Sequence, residues 1–270
     1  MIERCKTLSI YFILLLLACS CSTKKLLVSP LLASGITIKI TGTTAKINGA
    51  TVSIISGDKY SRKTFWADTI RGDRFDATVN VPGPGFYQII FAGKYPPDST
   101  AQGWLHWVNL YLEDNCSYTV KAGTDWNILH NHSTVYSSSA VQKNLSLFDE
   151  SYADKISIQE KDIAKNYEEA DFLNKTHRDK EYQELSATIL KEEADLKQFH
   201  SKYLQEFALN NPGTIISTHK LLGLNLTEIK KNYNQYMKIY YHLADDIKKQ
   251  QDGVTFKNEL DAVMAPAPKL

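Results

Sequence analysis

The residues with the most legible chemistry are Leu16-Leu17-Ala18-Cys19. Branched and small side chains leading to a cysteine have the form of a lipobox, in which the thiol is lipid-modified. Arg4 and Lys6 stand upstream, and an apolar run from Leu8 to Leu17 is interrupted only by Ser9 and Tyr11. A charged start, a short hydrocarbon stretch and a small residue before the cut are the parts of a secretory signal. The run is too short to cross a bilayer as a helix, which takes roughly 20 residues. Residues 1–18 therefore read as a signal peptide and Cys19 as the lipidation site. Cys21 fits less well, since Ala18, Cys19 and Ser20 would then precede the cut. Acyl chains on Cys19, at roughly 0.8 kcal/mol per buried methylene, would attach the protein to a membrane. The expected address is the cell envelope, at the outer membrane and facing the periplasm.

The other candidates for chemistry are weaker. His130-Asn131-His132, with Asp125 nearby, would place both imidazoles on one face of an extended segment. Two ligands are too few for a closed metal site, and a polar loop accounts for them equally well. No metal or cofactor is expected. His106, His177, His200, His219 and His242 stand singly and read as surface or half-buried residues. Ser137-Ser138-Ser139 lacks the glycine-flanked elbow of a hydrolase and reads as a helix cap. Pro82-Gly83-Pro84-Gly85 precedes a strand and carries no Gly-Lys-Ser/Thr, which argues against a phosphate cradle. Glu168, Glu169 and Asp171 read as a solvated helix face. No catalytic residue is assigned. Trp66, Trp104, Trp107 and Tyr111, with Tyr87, could form an aromatic platform for glycan or peptide. Core packing and cross-strand pairing are the commoner uses of such residues in a β domain.

Cysteine use fits an exported chain that does not depend on disulfides. Cys5 leaves with the signal, and Cys116, in a strand-like run, reads as a small buried hydrophobe. A Cys21–Cys116 bridge is allowed but not required, and no C-x-x-C pair exists. Removal of Glu3, Arg4 and Lys6 with residues 1–18 turns 31 Lys/Arg and 30 Asp/Glu into 29 of each. That balance offers no field to hold nucleic acid.

The elements that must position these residues change period near Ser137. Ile36-Thr37-Ile38-Lys39-Ile40 and Thr51-Val52-Ser53-Ile54-Ile55 alternate as half-buried strands do. Further strands are expected over Thr64–Thr69, Phe75–Val81, Phe86–Phe91, Trp104–Leu112 and Ser117–Lys121. Asn48-Gly49, Arg71-Gly72-Asp73, Pro82–Gly85 and Glu113-Asp114-Asn115 supply the turns. Such short strands predict an antiparallel β-sandwich or open barrel over residues 36–137, after a tether at 19–35. Residues 138–264 then form an all-α region, so the fold class is α+β. Tyr182, Leu185, Ile189, Leu196, Phe199, Tyr203 and Phe207 make one apolar stripe on a long helix from Asp179, stopped at Asn211-Pro212-Gly213. Other helices are expected at about Tyr152–Leu173, Ile215–Leu222, Thr227–Lys249 and Gly253–Met264. Residues 265–270, rich in Ala and Pro, read as a linker.

The order of these motifs resembles the N-terminal β-rich domain and helical segment of TlpA/AhpC-type thioredoxin-like lipoproteins. The matching stretches are Ile38–Gly42, Gly49–Ile54, Asp68-Thr69 with Phe75, Pro84-Gly85-Phe86-Tyr87, Leu110–Asn115, and Phe207–Pro212. Met264–Leu270 is similar to the family's entry into its redox module, and the C-x-x-C chemistry of that module has no counterpart here. The resemblance implies a non-catalytic binding or scaffolding protein with a thioredoxin-like partner, or else a truncated thiol-disulfide oxidoreductase. A glycan- or peptide-binding lipoprotein using the aromatic face is the alternative.

Overall fold

The computed structural model describes residues 35–44, 47, 49–57, 62–93, 104–123 and 133–264, without the side chain of Trp104. Cys19, Cys21, Asp125, His130, His132, the signal, most of the tether and residues 265–270 lie outside them. The described strands are β1 (Ile36–Thr43), β2 (Thr51–Ser56), β3 (Thr64–Thr69), β4 (Arg74–Val81), β5 (Gly85–Gly93), β6 (Trp104–Leu112), β7 (Tyr118–Lys121) and β8 (Thr134–Ser137). They form two sheets, ordered β4-β1-β7-β8 and β3-β2-β5-β6. The sheets stay separate as a sandwich and do not close into a barrel.

Alternation explains the filling. Ile38 and Ile40, Val52 and Ile54, Ile89 and Phe91, and Val108 and Leu110 all point into one buried cluster. Thr37 and Lys39 face solvent between them. At Arg71-Gly72-Asp73 the chain turns with φ of +61° at Gly72 and +60° at Asp73. Paired positive φ values suit Gly and Asp, and this turn carries the chain from one sheet to the other. Cys116 is a half-buried free thiol in the turn before β7, packed on the sandwich core. It stands directly before the strand expected over Ser117–Lys121.

The antiparallel-rich sandwich is as expected, with two details added and one expectation, for His106, corrected. First, β1 pairs with β7 in parallel, so the sheet β4-β1-β7-β8 is mixed rather than purely antiparallel. Alternation tells which face of a strand is buried but carries no information on the direction of a partner 78 residues away. Second, β8 is an additional strand, four residues long with Val135 as its one buried side chain, too short to show a period. Third, His106 is buried, at 3% exposure, on the inner face of β6.

The helices are α1 (Ala140–Lys175), α2 (Asp179–Asn210), α3 (Ile215–Leu222), α4 (Leu226–Lys231), α5 (Tyr233–His242), α6 (Asp245–Lys249) and α7 (Gln251–Met264). The serine run does cap a helix: Ser139 Oγ accepts from Gln142 N at 3.0 Å. Helix α1 therefore begins three turns before Tyr152, and those turns cover the sandwich edge formed by β6 and β8. The buried Gln142 accepts from the Tyr111 backbone N–H at 2.6 Å and donates to Ser146 Oγ at 3.0 Å. Ser146 Oγ in turn donates to the Val135 carbonyl at 3.3 Å. Open strand edges expose unpaired backbone groups, and this short chain of bonds satisfies one on each strand.

The span expected as one helix over Thr227–Lys249 is three. Asn225, not Thr227, caps α4, its Oδ1 accepting from Glu228 N at 2.7 Å. The backbone turns extended at Leu243 and Ala244, where Leu243 is buried and the Ala244 N–H donates to the Pro212 carbonyl. A tertiary bond replaces a helical one at that point, and no local pattern announces it. A second buried cluster joins Leu145, Phe148, Leu204, Leu221, Tyr236 and Phe256, and Phe86 and Tyr111 of the sheet pack against it. Strands and helices thus belong to one compact unit beginning at Gly35. Among the described residues, no helix is long and apolar enough to cross a membrane.

Candidate functional site

The register of β5 and β6 sets out the site. Tyr87, Ile89 and Phe91 point inward, so their neighbours Phe86, Gln88 and Ile90 point out of the sandwich. Directly across β6 stand Tyr111, Asn109 and Trp107, giving the pairs Phe86–Tyr111, Gln88–Asn109 and Ile90–Trp107. A carboxamide pair therefore sits in the middle of an aromatic and aliphatic row. This row is the floor of a cleft of about 1530 Å³ whose other wall is built from α1, α2, α3, α4 and α7.

The wall presses its polar groups onto the floor. Gln88 Nε2 donates to Asn109 Oδ1 at 3.1 Å, and Asn109 Nδ2 donates to Asp149 Oδ2 at 2.9 Å. Lys220 Nζ reaches the other carboxylate oxygen of Asp149 at 2.5 Å and lies 4.7 Å from the centre of the Phe148 ring. A four-residue chain of amide, amide, carboxylate and ammonium results, drawn from β5, β6, α1 and α3. Each charge has an opposite one beside it, as half-buried charges require.

At one end of the cleft the His219 ring lies flat on Phe86, with centroids 3.5 Å apart and planes 7° apart. Tyr111 meets the same phenyl edge-on at 5.1 Å. His219 Nδ1 bonds Asp252 Oδ2 at 3.1 Å, which ties α3 to α7. Farther along, His200 Nδ1 bonds the Tyr152 hydroxyl at 2.7 Å. Burial, with the nearby charge of Glu160 adding to it, pushes the Tyr152 phenol above its usual range. Burial also lowers the His219 pKa, more than the Asp252 hydrogen bond and charge raise it, with Lys220 lowering it and Asp149 raising it.

A stability consequence follows from that direction. In the unfolded chain the imidazole takes up a proton as pH falls through about 6.5, whereas the folded one resists until lower pH. The stability tied to neutral His219 is therefore complete above about pH 6.5 and is lost as pH falls through the folded pKa. Thermal melts between pH 7.5 and 5 should show Tm falling on acidification, and His219→Gln should flatten the fall. An unchanged slope in the variant would remove His219 from this account.

Of the aromatics singled out in the sequence, Trp107 and Tyr111 come together in the cleft. Trp66 packs on the sandwich core, 6.3 Å from the Phe75 ring. Tyr87 is buried within the sandwich, its hydroxyl donating to the Gly83 carbonyl at 2.8 Å. Trp104 belongs to β6, its side chain lying outside the described residues. Among the described residues, no group of three or more His, Cys, Asp or Glu is placed to hold a metal. Gln88, Asn109, Asp149, Lys220, His219 and Asp252 complete the site without having been anticipated. Asn109 was readable, since it alternates in step with Trp107 and Tyr111; the pairs Asp149–Lys220 and His219–Asp252 join residues 71 and 33 apart, with no local signal. Comparison with family models, curated proteins and solved structures found no match.

Proposed function

We propose that this chain is a non-catalytic, lipid-anchored protein of the cell envelope that binds an extended ligand in the cleft between sheet and helices. The observation that carries this reading is the outward row of β5 and β6, in which Phe86 and Tyr111 pack against the helical core while Gln88–Asn109 and Ile90–Trp107 continue along an open cleft. The two half-buried carboxamides at its centre are bonded into the Gln88–Asn109–Asp149 chain through one amide hydrogen each, which leaves the second hydrogen of each amide for a ligand. The groups gathered there are recognition groups: ring faces, amide donors and acceptors, and one paired ammonium.

The lipobox at Cys19 supports outer-membrane anchorage facing the periplasm. Cys19→Ser should move the protein from the membrane fraction to the soluble one and abolish incorporation of labelled palmitate; retention in the membrane would sink the anchor. The motif order resembling thioredoxin-like lipoproteins supports a thioredoxin-like protein as partner in that compartment.

Ligand binding is tested by intrinsic fluorescence and thermal shift against soluble glycans and peptides. A saturable response is expected, lost in Trp107→Ala while the far-ultraviolet spectrum is kept. A response equal in wild type and Trp107→Ala would place binding elsewhere.

A further inference from the structure

We infer that the ligand is a neutral oligosaccharide, one sugar ring stacked on Trp107 and its hydroxyls bonded to the Gln88–Asn109–Asp149 chain. This rests on the reading of the cleft as a binding site and goes on to name the class of molecule.

Charge is the first reason. The cleft is lined by five carboxylates (Asp149, Glu160, Glu193, Glu228, Asp252) and four Lys or Arg side chains, interspersed. On the wall Asp149 is held by Lys220, and the floor of Phe86, Gln88, Ile90, Trp107, Asn109 and Tyr111 carries no charge to hold a phosphate, a uronic acid or an ammonium ligand. The donor and acceptor inventory is the second. Each hydroxyl both donates and accepts, and a sugar rim offers many side by side. Gln88 spends one of its two N–H groups on Asn109, and Asn109 spends one of its two on Asp149. The same chain thus keeps donors and acceptors of both kinds on the cleft floor. A purely apolar ligand would strip water from these carboxamides and return nothing.

Shape separates sugar from peptide. An extended peptide gains most from adding to a strand edge. β6 is the edge strand here, but its Tyr111 N–H is already taken by Gln142 Oε1. The cleft itself is floored by the face of the sheet, where a pyranose offers its C–H surface to an indole. The cleft, at about 1530 Å³, exceeds the roughly 300–1,000 Å³ of a site for one small molecule, so several linked rings are expected.

The test is calorimetric titration of the purified protein with neutral hexose oligomers, uronic-acid oligomers of matching length and uncharged peptides. At least one neutral oligomer should bind saturably. Trp107→Ala and Asn109→Ala should each weaken it about tenfold or more, while Trp107→Phe, which keeps a ring face and guards against misfolding, should restore part of the affinity. Tighter binding of uronic-acid oligomers would overturn the neutral class. Peptide binding dependent on Trp107, with all sugars silent, would overturn the sugar class and leave the cleft as a site. Silence from every probe would overturn both.

Discussion

Gly42→Ala should destabilise the protein by about 3 kcal/mol, at the upper end of what overpacking a filled core costs. Gly42 is buried in β1 directly opposite Phe75 of β4. A Cβ at Gly42 would stand 1.9 Å from Phe75 Cε1 and 2.2 Å from its Cζ, far inside van der Waals contact. The ring cannot simply swing away, because it packs edge-on against Phe91 at 5.8 Å and beside Trp66 at 6.3 Å. For a unit of this size the loss corresponds to a fall in Tm of roughly 6–12 °C. The mechanism has its own control: Phe75→Leu in the Gly42→Ala background should recover part of the loss, a coupling visible in a double-mutant cycle. Additive effects of the two substitutions would show that the clash is not the cause.

Gly253→Ala is expected to reverse a familiar sign. In an exposed helix interior, alanine stabilises relative to glycine by about 1 kcal/mol. Gly253 is buried near the start of α7, where a Cβ would meet the Ile247 carbonyl oxygen at 2.3 Å and the Lys248 backbone at 2.9 Å. Those contacts are backbone atoms of α6, with no rotamer to change. A loss of about 2 kcal/mol is expected instead of a gain, since small-to-large changes in packed sites cost about 1–3 kcal/mol. The neighbouring residue Asp252 anchors His219, so the displacement should also loosen the end of the cleft and weaken ligand binding. Chemical denaturation reads the first effect and titration the second; an increase in stability would mean that α6 and α7 do not approach as closely as described.

How far such features were legible in the sequence depends on the range of the interaction. Thr64–Thr69 and Trp104–Leu112 were bounded correctly because strand-forming side chains and turn residues act over a few positions. Asp179–Asn210 followed in the same way from its apolar stripe and the Pro212 stop. The breaks at Asn232 and Leu243-Ala244 were hidden because they are made by packing and by a bond to the Pro212 carbonyl. The parallel β1–β7 pair and the bridging of β6 and β8 by Gln142 and Ser146 likewise join distant segments. Within the site the same division holds. Trp107 and Tyr111 announced an aromatic face, and period two could have added Asn109. The opposite wall, with Asp149, Lys220 and His219, exists only once α1 and α3 dock on the sheet.

Residue-resolved titration reaches the claim that the outer face of β5 and β6 is a binding surface most directly. In a nitrogen-edited NMR spectrum, the side-chain amides of Gln88 and Asn109 and the indole N–H of Trp107 report on the cleft floor individually. Addition of the best-binding oligosaccharide or peptide should shift these three signals together and saturably, with the Trp66 indole on the sandwich core unmoved. Saturable shifts at Trp66 or elsewhere, with Gln88, Asn109 and Trp107 unchanged, would contradict it.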